Sequence, residues 1–77
     1  MTNAEFQKNR IAQGPSLLRT LHEVIERHCE EHGLEPVFAI TDVLIDIRHL
    51  ADVYGLDLGE IDANAHNSYL EELGAAL

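Results

Sequence analysis

The stretch from Thr41 to Leu58 constrains the fold most, because it combines a helix start signal, a helical apolar stripe and a stop signal. At about 100° per residue, seven apolar residues from Ile40 onward fall inside an arc of about 120°, the width of a core-facing stripe. These residues are Ile40, Val43, Leu44, Ile47, Leu50, Ala51 and Tyr54. Thr41 or Asp42 can cap the first turn, and Gly55 can take the left-handed conformation that ends a helix. The sequence therefore predicts a helix over 41–54.

The start of this central helix has two interpretations. Val37 and Ile40 continue the three-four spacing of the stripe, which would let the helix begin at Pro36. The β-branched run that precedes Thr41 is equally compatible with a short extended segment that leads into a Thr41 cap. The sequence alone leaves both open.

Two further helices are predicted on either side. A stripe that begins after Ser16 stops at Gly33, and its members are Leu17, Leu18, Leu21, Val24, Ile25 and Cys29. Asp57 and Glu60 have the spacing of a capping box, which predicts a third helix from 58 to about 73, ended by Gly74. Short connections favour neighbouring helices that pack together, so we expect an all-α fold, a small three-helix bundle.

The N-terminal residues are expected to form an arm. Residues 1–14 can make a weak helix capped by Asn3, but their apolar residues form no stripe and Gly14-Pro15 interrupts any helix. The predicted organisation is an N-terminal arm over 1–14, mobile or loosely docked, and a helical domain over 15–77.

The charge excludes some partners and favours others. The chain has 77 residues and a net charge of −9, and residues 21–77 carry 13 acids against Arg27 and Arg48. Such a body repels phosphate backbones and anionic membranes, so we expect no nucleic acid or membrane partner. A protein partner with a basic surface is favoured, self-association as a homodimer stays open, and the charge could also serve solubility alone.

Cysteine usage and the N-terminus indicate a compartment. One cysteine cannot form a disulfide within the chain, and the first residues show neither an apolar signal core nor a route to a membrane span. The expected location is the cytoplasm.

Two patterns are candidates for DNA binding or metal chemistry. Ala51, Gly55, Leu56 and Ile61 have the spacing of a helix-turn-helix, but the would-be recognition helix contains no Lys or Arg. Residues 28–32 match the H-x-x-E-H string of inverted zinc peptidases, which makes His28, His32 and Glu31 the candidate metal ligands. The simpler interpretation is that both rings pack beside the core near a helix end.

A polar stripe on the central helix supplies the candidate interaction surface. Its members are Asp42, Asp46 and His49, with Asp52 at the edge. Carboxylates and imidazoles one turn apart can pair or hold an ion, but a convex face in water favours a solvated surface. No catalytic residue and no cofactor are predicted.

The segment 41–72 resembles a group of short, mostly uncharacterised helical proteins encoded by bacteria and their phages and plasmids. The resembling features are Thr41-Asp42, Asp46, His49, Ala51, the corner Gly55-Leu56-Asp57, and Ala65 followed by His66 and Tyr69; Leu58 stands where an aromatic is usual. The resemblance implies a helical fold and a bacterial or mobile-element setting, but no activity, substrate or cofactor.

Two functions follow from these observations. The favoured one is a non-enzymatic acidic protein-interaction module, an accessory, adaptor or inhibitor that acts on a protein partner, because no candidate group sits in an evident cleft. The alternative is a small metal-binding or hydrolytic protein that uses the histidine and carboxylate clusters.

Overall fold

The computed structural model describes residues 2–12 and 16–76, with residues 75 and 76 described by their backbone only. In this part of the chain the structure contains four helices and no strand: α1 (Asn3–Ala12), α2 (Leu17–His32), α3 (Pro36–Val53) and α4 (Leu58–Ala76). The all-α class is confirmed, and helices lie at all three predicted places. The structure adds one helix to the three predicted ones: α1 occupies most of the predicted N-terminal arm. The predicted break at Gly14-Pro15 falls outside the described residues.

The arm is a regular helix that lies against α2. Thr2 caps it, since its Oγ1 accepts the Glu5 N–H at 3.1 Å and its carbonyl accepts the Phe6 N–H at 3.0 Å. The prediction of Asn3 as the cap was wrong by one residue. Both residue types can cap, and the hydroxyl of Thr2 is the one that reaches an unpaired N–H of the first turn.

The boundaries of α2 agree with its sequence signals. Ser16 has an extended backbone and its Oγ accepts the Arg19 N–H at 3.1 Å. At the other end Gly33 takes φ +64°, and the N–H groups of Gly33 and Leu34 both reach the Cys29 carbonyl. A glycine adopts this left-handed conformation without the Cβ clash that other residues meet.

The central helix begins at Pro36, which decides between the two interpretations of its start. Proline is favoured at a first helical position, because its φ is already helical and its missing N–H needs no partner. The expected cap at Thr41 or Asp42 was therefore wrong. Thr41 lies in the second turn, where its Oγ1 donates to the Val37 carbonyl at 2.7 Å.

The corner between α3 and α4 also follows local signals. Gly55 has φ +65°, and the Leu56 N–H donates to the Ala51 carbonyl at 2.9 Å. Asp57 then caps α4, because its Oδ1 accepts the N–H groups of Gly59 and Glu60 at 2.9 and 3.4 Å. These contacts confirm both the end of α3 and the start of α4.

The helix α4 continues beyond its predicted end. It passes through Gly74 and ends at Ala76. A glycine in a helix interior costs only about 0.5 to 1 kcal/mol relative to alanine, so it weakens the last turn without stopping it. Gly74 was therefore wrongly predicted as the stop.

The contacts divide the chain into two units, one up to Val43 and one from Leu44 onward, with the boundary inside α3. The predicted boundary between residues 14 and 15 and the bundle packing stay predictions. Among the described residues, the buried apolar ones are Ala39 in the first unit and Ala51 in the second. Sixteen large apolar residues are 38% to 75% exposed, and they include many of those expected in a core. Much of each apolar stripe is thus open to solvent.

Candidate functional site

A hydrogen bond between two side chains in the first unit joins α2 to α3. His28, in the last turns of α2, places its Nε2 2.9 Å from Oδ2 of Asp42, in the second turn of α3. The side chains are 31% and 49% exposed, so the contact lies at the edge of the helix pair. The sequence assigned these residues to two separate candidate sites, and the fold brings them together.

His32 lies one helical turn beyond His28. The centroids of the two rings are 4.6 Å apart and their planes are tilted by 56°. Glu31, the third member of the string, is exposed on α2. Within residues 2–12 and 16–76, no group of three or more His, Cys, Asp or Glu side chains is arranged to hold a metal ion. The H-x-x-E-H string therefore places the His28 and His32 rings side by side, and His28 is hydrogen-bonded to the Asp42 carboxylate.

A carboxylate bonded to an imidazole can do two kinds of work. It can orient the ring beside a nucleophile or a metal-bound water, as in hydrolases, or it can fasten two elements of a fold. Here the aspartate and the histidine come from different helices separated in sequence by a short connection, and both stay in contact with water. The geometry thus directly supports the fastening role, with α3 held against the C-terminal end of α2.

The predicted polar stripe of α3 is divided by this contact. Asp42 is half-exposed and bonded to His28, while Asp46, His49 and Asp52 are exposed. Each of the last three is exposed to solvent, where water screens charge. The stripe is an outward-facing acidic surface, and Asp42 is the member that serves the fold.

Sequence reasoning missed two polar pairs on α2. The Arg19 Nε lies 3.4 Å from Glu23 Oε1, and the His22 Nε2 lies 2.8 Å from Glu26 Oε1. Both pairs have the i, i+4 spacing that brings side chains together on a helix, so the signal was present in the sequence. Both pairs support α2 locally.

The longest stretch of the chain without Lys or Arg is its C-terminal part. Residues 49–77 contain six acids and neither Lys nor Arg. The described charged residues of α4 are exposed, among them Glu60 and Asp62. The helix-turn-helix spacing therefore ends in a helix whose charge is opposite to that of a DNA-binding element.

None of the described helices has the combination of length and apolar character needed to cross a membrane. Comparison of the chain with protein-family models, with curated proteins and with solved structures found no match.

Proposed function

We propose that this chain is a non-enzymatic protein-interaction module whose C-terminal half binds a basic protein surface. One observation carries the proposal: from residue 44 onward, exposed acids alternate with exposed large apolar side chains. This half contains seven acids against the single cation Arg48. A surface of this composition matches a partner patch that is apolar at its centre and rimmed by Lys or Arg.

The face of α4 shows the combination most clearly. Its apolar arc contains Leu58, Ile61, Ala65, Tyr69 and Leu73. Asp62 and Glu72 fall within the same arc at about 100° per residue, and Ile61 and Tyr69 are exposed. Apolar contact would supply most of the binding energy, while the carboxylates would steer the encounter and reject acidic surfaces.

Nucleic acid is excluded from this proposal, because the acids of α4 would repel a phosphate backbone. The proposal also places the protein in a reducing compartment, because Cys29 has no second cysteine in the chain with which to form a disulfide. The resemblance of residues 41–72 to short proteins of bacteria, phages and plasmids adds a setting for the module, but it names no partner.

Affinity capture from a lysate of the encoding cells tests the proposal. The wild-type chain should retain a protein rich in Lys or Arg at low salt and release it as the salt concentration rises, since exposed charges are screened within about 10 Å at 0.1 M salt. A variant with Asp46→Asn, Asp52→Asn and Asp62→Asn should retain several-fold less of the same protein.

A matched control removes the same charge elsewhere. Glu30→Gln, Glu31→Gln and Glu35→Gln change three exposed carboxylates of the first unit. This variant should capture as much partner as the wild type. Salt-independent retention, or equal loss in both variants, would contradict an acidic binding surface in the C-terminal half.

A further inference from the structure

The corner between α3 and α4 exposes three large apolar side chains within four consecutive positions. Val53 and Tyr54 are 75% and 72% exposed, more than any other large apolar residue described from residue 44 onward, and Leu56 is 54% exposed. Scattered single apolar residues are normal on a protein surface, whereas a group of neighbours that includes an aromatic is typical of binding sites. We call Val53, Tyr54 and Leu56 the apolar corner.

The backbone holds the apolar corner in one conformation. Gly55 lies between Tyr54 and Leu56 and takes φ +65°. Its N–H donates to the Asp52 carbonyl at 3.1 Å, and the Leu56 N–H donates to the Ala51 carbonyl at 2.9 Å. Leu56 has the position that usually folds back on the last turn of a helix, yet more than half of it stays exposed. A surface that is ordered before binding loses less conformational entropy when a partner docks.

Carboxylates flank the apolar corner in the sequence, and no Lys or Arg does. Asp52 precedes it, Asp57 and Glu60 follow it, and all three are exposed. Two hydrogen bonds from the first turn of α4 hold the Asp57 carboxylate in place. From residue 49 to the end, the sequence contains neither Lys nor Arg. The corner therefore combines an apolar, aromatic centre with a negatively charged rim.

We infer that the apolar corner is the centre of the binding surface in the C-terminal half, and that it binds an arginine flanked by apolar side chains on the partner. This inference rests on the proposed function and adds the residues at its centre and the chemistry of their ligand. A guanidinium can stack on the Tyr54 ring and still donate several hydrogen bonds to carboxylates. A lysine ammonium is a compact, strongly hydrated charge without a planar face to stack on the ring.

The charge argues against a second copy of the chain as the ligand. Two apolar corners placed face to face would bring their acidic rims together, and each chain has a net charge of −9. Like charges that face one another across an interface are unfavourable. A basic protein segment meets both requirements of the corner, which are opposite charge and apolar contact.

Three residues are enough for the centre of an interface but not for all of it. A few central residues usually carry most of the binding energy, and tyrosine and arginine are enriched among them. The remaining contact area would come from the apolar face of α4, which begins at Leu58 and continues with Ile61.

Titration of the full chain with synthetic peptides tests the inference. The probe is a short peptide of alternating arginine and leucine, and the comparison peptide has lysine in place of every arginine. Amide NMR signals of residues 52–61 should shift most, and added salt should weaken the binding. The arginine peptide should bind about three- to tenfold tighter, because only arginine stacks and donates two hydrogen bonds at once. Unchanged signals over 52–61, or equal binding of both peptides, would overturn the inference.

Variants of Tyr54 separate the ring face from its hydroxyl. Tyr54→Ala should weaken binding of the arginine peptide about tenfold, which corresponds to about 1.4 kcal/mol. Tyr54→Phe should keep the dissociation constant within about threefold, because the ring face remains. If Tyr54→Ala does not fold, Tyr54→Leu serves in its place. It keeps an apolar side chain, and it should lose the preference for the arginine peptide over the lysine peptide.

The matched control is Phe38→Ala, which removes a 57% exposed aromatic side chain from the first unit. It should leave the dissociation constant of the arginine peptide unchanged within about threefold. Equal weakening by Tyr54→Ala and Phe38→Ala would show that the peptide has no specific site at the apolar corner.

The inference and the proposed function fail separately. If Tyr54→Ala captures as much partner as the wild type while the three-aspartate variant captures several-fold less, the acidic surface stands and the apolar corner is not its centre. If the three-aspartate variant captures as much as the wild type, the proposed function fails, and the inference that rests on it fails with it.

Discussion

A double-mutant cycle on His28 and Asp42 measures how strongly their contact holds α3 against α2. The variants are His28→Ala, Asp42→Ala and the double substitution, and the coupling energy is the part of the double-mutant effect that the single variants do not account for. Helix-propensity changes at each position cancel in the cycle, so the coupling reports the contact itself.

The structure sets the expected size of this coupling. The 2.9 Å distance between Nε2 and Oδ2 is that of a well-formed hydrogen bond, whose net contribution is about 0.5 to 1.5 kcal/mol. The side chains are partly exposed, and exposed pairs typically yield about 0.2 to 1 kcal/mol because water competes for both groups. We therefore expect a coupling of about 0.5 to 1 kcal/mol.

Urea unfolding at one fixed protein concentration supplies the free energies, since self-association would otherwise add a concentration term. The matched control is a second cycle on His22 and Glu26, which pair at 2.8 Å within α2 and are 44% and 60% exposed. Its coupling should be about 0.2 to 0.5 kcal/mol, the usual value for an i, i+4 pair.

The two cycles together can refute the reasoning. A coupling for His28 and Asp42 that is zero, or no larger than that of His22 and Glu26, would mean that this contact does not fasten the two helices. The unfolding slope must also be the same in all four proteins of a cycle, because a changed slope signals a different unfolded state or a lost two-state transition.

Three further predictions concern the glycines, the cap of α4 and DNA. Gly55→Ala should destabilise the protein by about 1 to 2 kcal/mol in urea unfolding, because alanine is strained at φ +65°. Gly74→Ala should stabilise it by about 0.5 to 1 kcal/mol, because Gly74 lies within a helix and a Cβ there meets nothing within 4 Å. A change of the same sign in both variants would contradict this difference in backbone conformation. Asp57→Ala should lower the free energy of unfolding by about 1 kcal/mol, since it removes the acceptor for the N–H groups of the first turn of α4. Asp57→Ser should recover most of that stability, because serine can also cap a helix. An unchanged urea midpoint for Asp57→Ala would show that the cap does not contribute to stability. Mobility-shift assays at micromolar protein and physiological salt should show no complex with duplex DNA, and a shift that weakens with added salt would overturn this expectation.

The sequence by itself determined the signals that act within one turn of chain. Gly33, Gly55 and Asp57 were all assigned correctly, because each acts through hydrogen bonds to residues at most five positions away. The wrong assignments of the α1 cap and of the α4 end also concerned signals that act within one turn of chain. Thr2 and Asn3 are adjacent residues that can both cap, and a single helical glycine such as Gly74 is too weak to end a helix.

The candidate site shows where sequence reasoning stopped. The sequence assigned His28 to the H-x-x-E-H string of the first long helix and Asp42 to the polar stripe of the central helix, and each assignment concerned one helix alone. Which faces meet depends on how α2 and α3 cross, and that is set by the connection from Gly33 to Pro36 and by the packing of both helices. The contact between the two residues was therefore visible only in the folded chain.

The tertiary structure also decided which apolar residues are buried. Periodicity predicts which side of a helix is apolar but not what covers it, so leucine and isoleucine stripes were expected to form the core. In the described chain the buried apolar positions are Ala51, which belongs to the predicted stripe, and Ala39, which does not, while Ile40 and Leu44 of the stripe stay exposed. A small residue lets backbones approach closely, whereas a large side chain is buried only where a second surface meets it, and that surface is not encoded in the spacing of residues along one helix.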